Sequence, residues 1–148
     1  MDCFNCRGNA DLDALPARED IMRTTHWRVA HAFDSSLPGW LVVVPLTHVT
    51  ALDELPPEAH AELGTLLGRM SAALREVVGC VKTYVMQFSE ADGFAHLHVH
   101  LVPRMPDQPD ELKGPAVFGY LGAAEGERVS EAERDRLAQA LREALAVG

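Results

Sequence analysis

Residues 96–102 read His-Leu-His-Val-His-Leu-Val, and this alternation is the feature of the chain that most limits its fold. Side chains at positions i, i+2 and i+4 of a β-strand point to the same side, roughly 6.5 to 7 Å apart. The segment is therefore predicted to be a half-buried strand with Leu97, Val99 and Leu101 on its apolar side. The other side would carry three imidazoles in a row. Such a row of bases on a rigid strand indicates a functional site.

A hairpin and a long helix are predicted before this strand. Residues 26–33 and 40–45 have the composition of strands, and the turn between them at 34–39 predicts a hairpin. Pro56-Pro57 opens a helix that ends near Gly79. Its apolar residues recur at spacings of three and four, which is typical of a helix face in the core: Leu63, Leu66, Leu67, Met70, Leu74, Val77 and Val78.

The rest of the chain supplies one more strand and one more helix. Residues 81–88 have a strand pattern, and Pro103 is expected to end the histidine strand. Residues 105–128 lack clear periodicity, and Val117–Tyr120 is interpreted as either a clamp or a partner contact. Ser130 and Glu133 form a capping box that predicts a C-terminal helix. Strands grouped around one long helix indicate an α+β fold with a mainly antiparallel sheet.

Size and charge narrow the class of partner. With 148 residues, 47% of them hydrophobic, the chain is long enough for a single domain, 1–148, with a sizeable core. A net charge of −9 opposes binding to extended nucleic acid, because affinity for a phosphate backbone depends on clustered Lys and Arg. A small phosphate compound remains compatible with this charge, provided that the site supplies local positive character.

No run of about 18 apolar residues is present, and the first six residues have neither the basic nor the apolar region of a signal peptide. We therefore expect no membrane association and a cytoplasmic location. Three cysteines do not make a disulfide framework. Cys3-x-x-Cys6 is compatible with half of a zinc site, with a redox pair or with no special role. Zinc is favoured, because redox pairs usually lie where a strand enters a helix.

The two motifs together resemble the histidine triad (HIT) superfamily of nucleotide hydrolases and transferases. The resemblance rests on His96-Leu-His98-Val-His100-Leu-Val-Pro-Arg and on Pro38-Gly39-Trp-Leu-Val-Val-Val-Pro45-x-x-His48-Val49, and it covers roughly residues 3–104. It implies a HIT-like α+β fold. That fold has a mainly antiparallel five-stranded sheet, one long helix after the first hairpin and a C-terminal helix. Residues 1–8 would form a zinc knuckle, and 105–148 a C-terminal extension with the terminal helix.

The resemblance also implies roles for individual residues. Bacterial members with this Cys-x-x-Cys hold a structural zinc, which implies the ligands Cys3, Cys6, His48 and His96. The middle histidine of the motif, His98, would be the nucleophile that bonds to the α-phosphorus of a small nucleotide. Such a substrate is a nucleoside phosphoramidate or a dinucleoside polyphosphate. The resemblance further implies a homodimer and a contact of Asp34 with ribose. From charge and position we expect His100 to donate to a phosphate oxygen, and Gln87 and Ser89, on the preceding strand or its exit, to bind phosphate or the leaving group.

Physical reasoning supports the assignment of His96 to zinc and of His98 and His100 to the substrate. Three imidazoles spread over roughly 13 Å of straight strand cannot all reach one zinc, because Zn–N bonds are only about 2 Å long. Two alternatives remain open. His98 and His100 could instead ligate a catalytic zinc, with Glu90 or Asp92 as a third ligand. The chain could also be a non-enzymatic nucleotide-binding module, since Ala91-Asp92-Gly93 stands where the family usually has Gly-Gln-Ser or Gly-Gln-Thr.

Overall fold

A five-stranded antiparallel sheet forms the centre of the protein. The computed structural model describes residues 2–147, and the strands lie in the spatial order β1-β2-β3-β5-β4. This arrangement confirms the predicted α+β fold. The strands are β1 Met22–Arg23, β2 Trp27–His31, β3 Leu41–Pro45, β4 Lys82–Gln87 and β5 Val99–Arg104.

The predicted hairpin is present. Strands β2 and β3 pair antiparallel in a register that runs from Trp27 opposite Pro45 to His31 opposite Leu41. Both strands are almost entirely buried, because the sheet is covered on both faces. The β-branched and aromatic residues that predicted these strands therefore serve a two-sided core.

Three α-helices accompany the sheet: α1 Phe4–Ala10, α2 Pro57–Val78 and α3 Glu131–Val147. Helix α2 begins at Pro57 and ends before Gly79, whose φ of 72° is the left-handed conformation that a helix C-terminus often requires. Its residues Leu66, Met70 and Leu74 are at most 2% exposed and belong to the core that the sheet forms on this face. The periodicity of the sequence thus identified this helix correctly.

The histidine strand differs from its predicted bounds. Strand β5 begins at Val99 rather than His96, and it continues through Pro103 to Arg104. Pro103 is tolerated because the β3–β5 ladder already ends at the Leu41–Leu101 pair, so one edge of β5 is free at this point. The segment before Val99 is held by other contacts, among them Leu97 N–H donating to the carbonyl of Val49 at 2.8 Å.

The segment 105–128 covers the sheet face opposite α2. It forms short 3-10 helices, and Val117 is completely buried against Trp40 and Val102. Helix α3 then packs on α2. Within residues 2–147 no helix is long and apolar enough to span a membrane.

Candidate functional site

Two thiols and two imidazoles converge where α1 meets the start of β5. The side chains of Cys3, Cys6, His48 and His96 place one ligand atom each within 4.8 Å of all the others. Nδ1 of His96 lies 3.5 Å from Sγ of Cys3 and 3.6 Å from Sγ of Cys6. Nδ1 of His48 lies 3.2 Å from Sγ of Cys6 and 3.1 Å from Nδ1 of His96.

These separations fit a tetrahedral zinc ion. Bonds of about 2.3 Å to sulfur and about 2.0 Å to nitrogen give ligand-to-ligand distances of roughly 3.3 to 3.8 Å. The surroundings also prepare His96 for this role, because its Nε2–H donates to the carbonyl of Pro45 at 3.0 Å. That bond fixes the tautomer in which Nδ1 carries the lone pair and faces the thiols. The four residues can therefore hold a metal ion.

His98 is held to the backbone through Nδ1, whereas His96 is held through Nε2. Its Nδ1–H donates to the carbonyl of His96 at 2.9 Å, and its backbone N–H donates to Oγ of Ser89 at 3.0 Å. The ring is half-buried and lines a cavity of about 380 Å³. Because Nδ1 is occupied, Nε2 is the nitrogen with a free lone pair, and a free lone pair is what a nucleophile needs.

His100 lies beside His98 and is buried. The two ring centroids are 4.9 Å apart. Nε1–H of Trp40 donates to Nδ1 of His100 at 3.1 Å, so the hydrogen of a neutral His100 is on Nε2. Burial, and to a smaller extent the neighbouring His98, lower the pKa of His100 from 6.5 to about 4. His100 is thus a neutral imidazole whose Nε2–H is available as a donor.

Ser89 and Gln87 support this pair from the end of β4. Ser89 is 8% exposed and has a φ of 58°, a left-handed conformation that is unusual for a residue other than glycine and is often found at functional sites. Nε2 of Gln87 donates to Oγ of Ser89 at 3.0 Å. Gln87 is not among the cavity residues, so its contact with the site runs through Ser89.

Asp34 lines the same cavity, as the sequence indicated, but part of its hydrogen-bonding capacity is used by the C-terminal segment. Its Oδ2 accepts from the backbone N–H of Gly122 at 3.0 Å, and its carbonyl accepts from the N–H of Ala123 at 3.0 Å. Oδ1 has no protein donor among the described residues. Asp34 therefore holds residues 122–123 and still offers one carboxylate oxygen.

Several residues of the cavity wall were not predicted from the sequence. Phe118 packs edge-on against His100, with ring centroids 5.2 Å apart, which gives the segment 117–120 a place in the site. Helix α1 was also not predicted as a helix, and it supplies Asn5 to the wall. The aromatic residues of the wall come from five separate positions along the chain: Phe4, Phe33, Phe88, Phe94 and Phe118. No periodic pattern in the sequence connects them.

The arrangement does not favour His98 and His100 as ligands of a catalytic metal. Such a site needs about three protein ligands around one point. Within residues 2–147, the only group of three or more potential ligands that converges at this range is the cluster of Cys3, Cys6, His48 and His96. Glu90 lines the cavity without joining the two histidines in a ligand group.

Comparison with known proteins agrees with this geometry. The sequence model of the HIT domain matches residues 18–107. No curated protein sequence matches the chain significantly. Among solved structures, a zinc-bound histidine triad family protein from Mycobacterium smegmatis aligns with a TM-score of 0.72 at 23% identity, covering 99% of this chain and 95% of that one.

Two other solved structures are similar. A histidine triad protein from Sinorhizobium meliloti aligns with a TM-score of 0.69 at 25% identity, covering 84% of this chain and 87% of that one. The diadenosine triphosphate hydrolase of Plasmodium falciparum aligns with a TM-score of 0.66 at 14% identity, covering 87% and 77%. Because the HIT domain model matches more than half of its residues, the chain belongs to the HIT superfamily of nucleotide-binding proteins, hydrolases and transferases.

Proposed function

We propose that this protein is a nucleotide hydrolase or transferase that cleaves at the α-phosphate of small nucleotides through a nucleotidyl intermediate on His98. The observation that carries the proposal is the hydrogen bond from Nδ1–H of His98 to the carbonyl of His96, at 2.9 Å. It leaves Nε2 unprotonated and facing a cavity that is large enough for a small nucleotide. Neutral imidazole is a competent nucleophile near pH 7.

The reaction proceeds in two displacements. In the first, the Nε2 lone pair of His98 forms a bond to the α-phosphorus while the bond from phosphorus to the leaving group breaks. The leaving group takes a proton from solvent and departs as an amine from a phosphoramidate, or as a nucleoside di- or polyphosphate from a dinucleoside polyphosphate, and the water of the second step returns a proton to solvent. In the second, water attacks the phosphorus, the P–N bond breaks and its electron pair returns to His98. The products of hydrolysis are a nucleoside monophosphate and the regenerated imidazole.

His100 and Ser89 stabilise and position the reacting groups. Phosphoryl transfer depends mainly on donors that are already aimed at the equatorial oxygens. Nε2–H of His100 is such a donor, because Trp40 holds the other ring nitrogen. Ser89 fixes the backbone of His98 through Oγ, and Gln87 orients that hydroxyl. The free Oδ1 of Asp34 is suited to accept from a ribose hydroxyl, since carboxylates accept from both hydroxyls of a diol.

The metal in this proposal is a structural zinc. The distances within the cluster of Cys3, Cys6, His48 and His96 support it, as does the zinc-bound relative from M. smegmatis. Zinc would cross-link α1 to the start of β5 and so hold His96, whose carbonyl orients His98. Because all four tetrahedral positions would be filled by protein, the ion has no position for substrate or water.

The substrates are nucleoside phosphoramidates or dinucleoside polyphosphates. The P. falciparum relative, a diadenosine triphosphate hydrolase, supports the second class at the level of fold. Both classes place a good leaving group on the α-phosphorus of a nucleoside, which is the atom that His98 would attack.

The protein is further proposed to be a homodimer. Strand β4 is an outer strand of the sheet and carries the exposed side chain of Val85, 53% exposed, and Phe88, directly after the strand, is 63% exposed. An apolar outer strand is usually covered in a functional protein, and a second copy of the chain supplies a matching strand. Light scattering should give twice the mass of one chain for the wild type and a lower mass for Val85→Lys.

Kinetics with purified protein tests the activity. Wild-type protein should hydrolyse adenosine 5′-phosphoramidate or diadenosine polyphosphates, and His98→Asn should be slower by at least about 10³-fold, because the covalent route is lost. His60→Asn is the matched control, since His60 is exposed and donates to the carbonyl of Leu52. Unchanged turnover in His98→Asn would refute the nucleophile. Tight AMP binding without any turnover would instead identify a binding module.

A further inference from the structure

The cavity continues from the histidine pair across the sheet. Its floor is made of small aliphatic side chains on and next to β2 and β3: Ala30, Ala32, Val42 and Val44. Neighbouring strands are about 4.8 Å apart, so the distance from β5 across β3 to β2 is about 10 Å. The floor therefore has room for a nucleoside whose phosphate lies at His98.

Three phenylalanine rings form an aromatic wall of this part of the cavity. The ring centroids of Phe4 and Phe33 are 5.4 Å apart, those of Phe4 and Phe94 are 5.9 Å apart, and those of Phe33 and Phe94 are 6.1 Å apart. Aromatic rings in this range pack well with a further planar ring. An apolar floor together with a cluster of aromatic rings in one cavity is suited to a nucleobase.

One amide in this wall has no partner. Asn5 is 7% exposed, lines the cavity and makes no side-chain hydrogen bond to any residue from 2 to 147. In the same range, the only fully enclosed side-chain polar atom without a partner is Nε of Arg134. The Asn5 amide must therefore reach accessible space, and the cavity is the space that it lines.

The neighbouring polar groups are already engaged. Both ring nitrogens of His31 are occupied, since Nδ1–H donates to the carbonyl of Ala32 at 2.8 Å and Nε2 accepts from the N–H of Gly39 at 2.9 Å. The Glu19 carboxylate lies 3.8 Å from the guanidinium of Arg28. Asn5 is thus the polar group in this wall that combines a donor and an acceptor and has neither in use.

We infer that Asn5 hydrogen-bonds the edge of the nucleobase and selects bases that present a donor beside an acceptor, an inference that rests on the proposed function. An amide places a donor beside an acceptor, which complements the ring nitrogen acceptor and amino donor that adenine presents side by side. The amide turned over complements the ring N–H and carbonyl of hypoxanthine and guanine, whereas unsubstituted purine presents no donor on this edge. Asn5 is also well fixed, because it lies on α1 between Cys3 and Cys6 of the metal cluster.

The proposed contact comes from a part of the chain that the HIT domain model does not match, since Asn5 lies outside residues 18–107. A site that is built to hydrogen-bond a substrate group rejects an analogue that lacks it, because the buried polar group of the protein is then left unpaired.

Matched purine substrates test the inference. We expect kcat/KM for adenosine 5′-phosphoramidate to exceed that for purine riboside 5′-phosphoramidate, which lacks the amino donor, by about 10- to 100-fold in the wild type. Asn5→Leu, which has a similar volume and no polar atoms, should turn over both at similar rates. Asn5→Asp presents two acceptors and should shift the preference to the guanosine substrate, whose ring N–H and amino group are adjacent donors.

Two further readouts separate the possible failures. Zinc content and circular dichroism report whether each Asn5 variant retains α1, and Asn5→Asp changes the shape least. Equilibrium binding of AMP and purine riboside 5′-monophosphate to His98→Asn measures base preference without turnover. Equal rates and equal affinities for the two bases in otherwise intact protein, or an unchanged ratio of adenosine to guanosine turnover in Asn5→Asp, would overturn the inference. AMP-selective binding without any turnover would leave the role of Asn5 intact and refute only the proposed activity.

Discussion

His96 and His98 are two residues apart, and each donates one hydrogen bond to a backbone carbonyl, yet they face different chemistry. His96 donates through Nε2 to Pro45, which turns Nδ1 toward Cys3 and Cys6. His98 donates through Nδ1 to the carbonyl of His96, which leaves Nε2 for the cavity. The comparison teaches that the nitrogen held by the backbone decides what the other nitrogen can do.

His100 provides a third version of the same rule. Its Nδ1 accepts from an indole N–H instead of donating to a carbonyl, so Nε2 bears the hydrogen. Three histidines of one short segment thus present a lone pair to the thiols of Cys3 and Cys6, a lone pair available at the cavity and a hydrogen-bond donor. The sequence repeats one residue type, and the three different hydrogen-bond partners create the three arrangements.

The largest predicted effect distinguishes the role of His96 from that of His98, and it comes from removing one ligand of the metal cluster. Cys6→Ser should lose zinc and fall in free energy of unfolding by more than about 3 kcal/mol, because metal binding energy is folding energy in such sites. His98→Asn should keep one zinc per chain and nearly wild-type stability. Metal analysis and thermal unfolding of the two variants check this. A metal-free wild type of equal stability would contradict the structural role.

Acid should destabilise the protein through its buried neutral histidines. Burial lowers the pKa of both His31 and His100 from 6.5 to about 4. Between pH 4 and 6.5 the unfolded chain therefore binds more protons than the folded one. The contribution of these histidines to the free energy of unfolding is present above pH 6.5 and is lost as the pH falls toward 4. We expect a loss of roughly 2 kcal/mol in the free energy of unfolding between pH 6 and 5.

His31→Gln is the control for this prediction. Glutamine retains an acceptor for the Gly39 N–H and does not titrate, so the variant should lose about half of the pH dependence. The measurement is denaturant unfolding at fixed excess zinc, so that metal release contributes equally to both proteins. Identical slopes for wild type and His31→Gln would show that His31 is not a buried neutral imidazole.

The smallest predicted effect tests Trp40. Trp40→Phe removes the N–H that holds His100 and should reduce kcat about tenfold with little change in KM, because the donor to the transition state is no longer fixed. Trp27→Phe is a matched control, since Trp27 is equally buried and donates to the carbonyl of Ala59, on the side of the sheet that faces α2. Equal losses in both variants would point to packing alone.

The sequence predicted secondary structure best where an apolar pattern extends over many residues. Apolar residues at helical spacing, together with Pro57 and Gly79, predicted the bounds of α2 closely. The strand composition of residues 26–33 and 40–45 predicted the hairpin. The start of β5 was misplaced by three residues, because the alternation continues through His96 and His98 while their backbone is held by Val49 and Ser89 instead of by a neighbouring strand. A two-residue period does not distinguish these cases.

The residues of the site that could be predicted are mainly those that belong to short sequence motifs. The Cys-x-x-Cys and histidine motifs identified the residues that the structure brings together as a metal cluster. The part of the cavity wall formed by Phe4, Asn5 and Phe118 was missed, because these residues meet only through tertiary structure and lie outside the residues that the family model matches. Trp40 was seen in a strand pattern, but its hydrogen bond to His100 depends on the register of β3 against β5.

Trapping the covalent intermediate tests the central claim most directly. Wild-type protein mixed rapidly with α-phosphate-labelled adenosine phosphoramidate is quenched at neutral pH, and its 83–104 peptide is sequenced by fragmentation. The account predicts one adenylate on the imidazole of His98 and none in His98→Asn. Adenylate on His100, or steady turnover in which no labelled peptide is ever found, would contradict it.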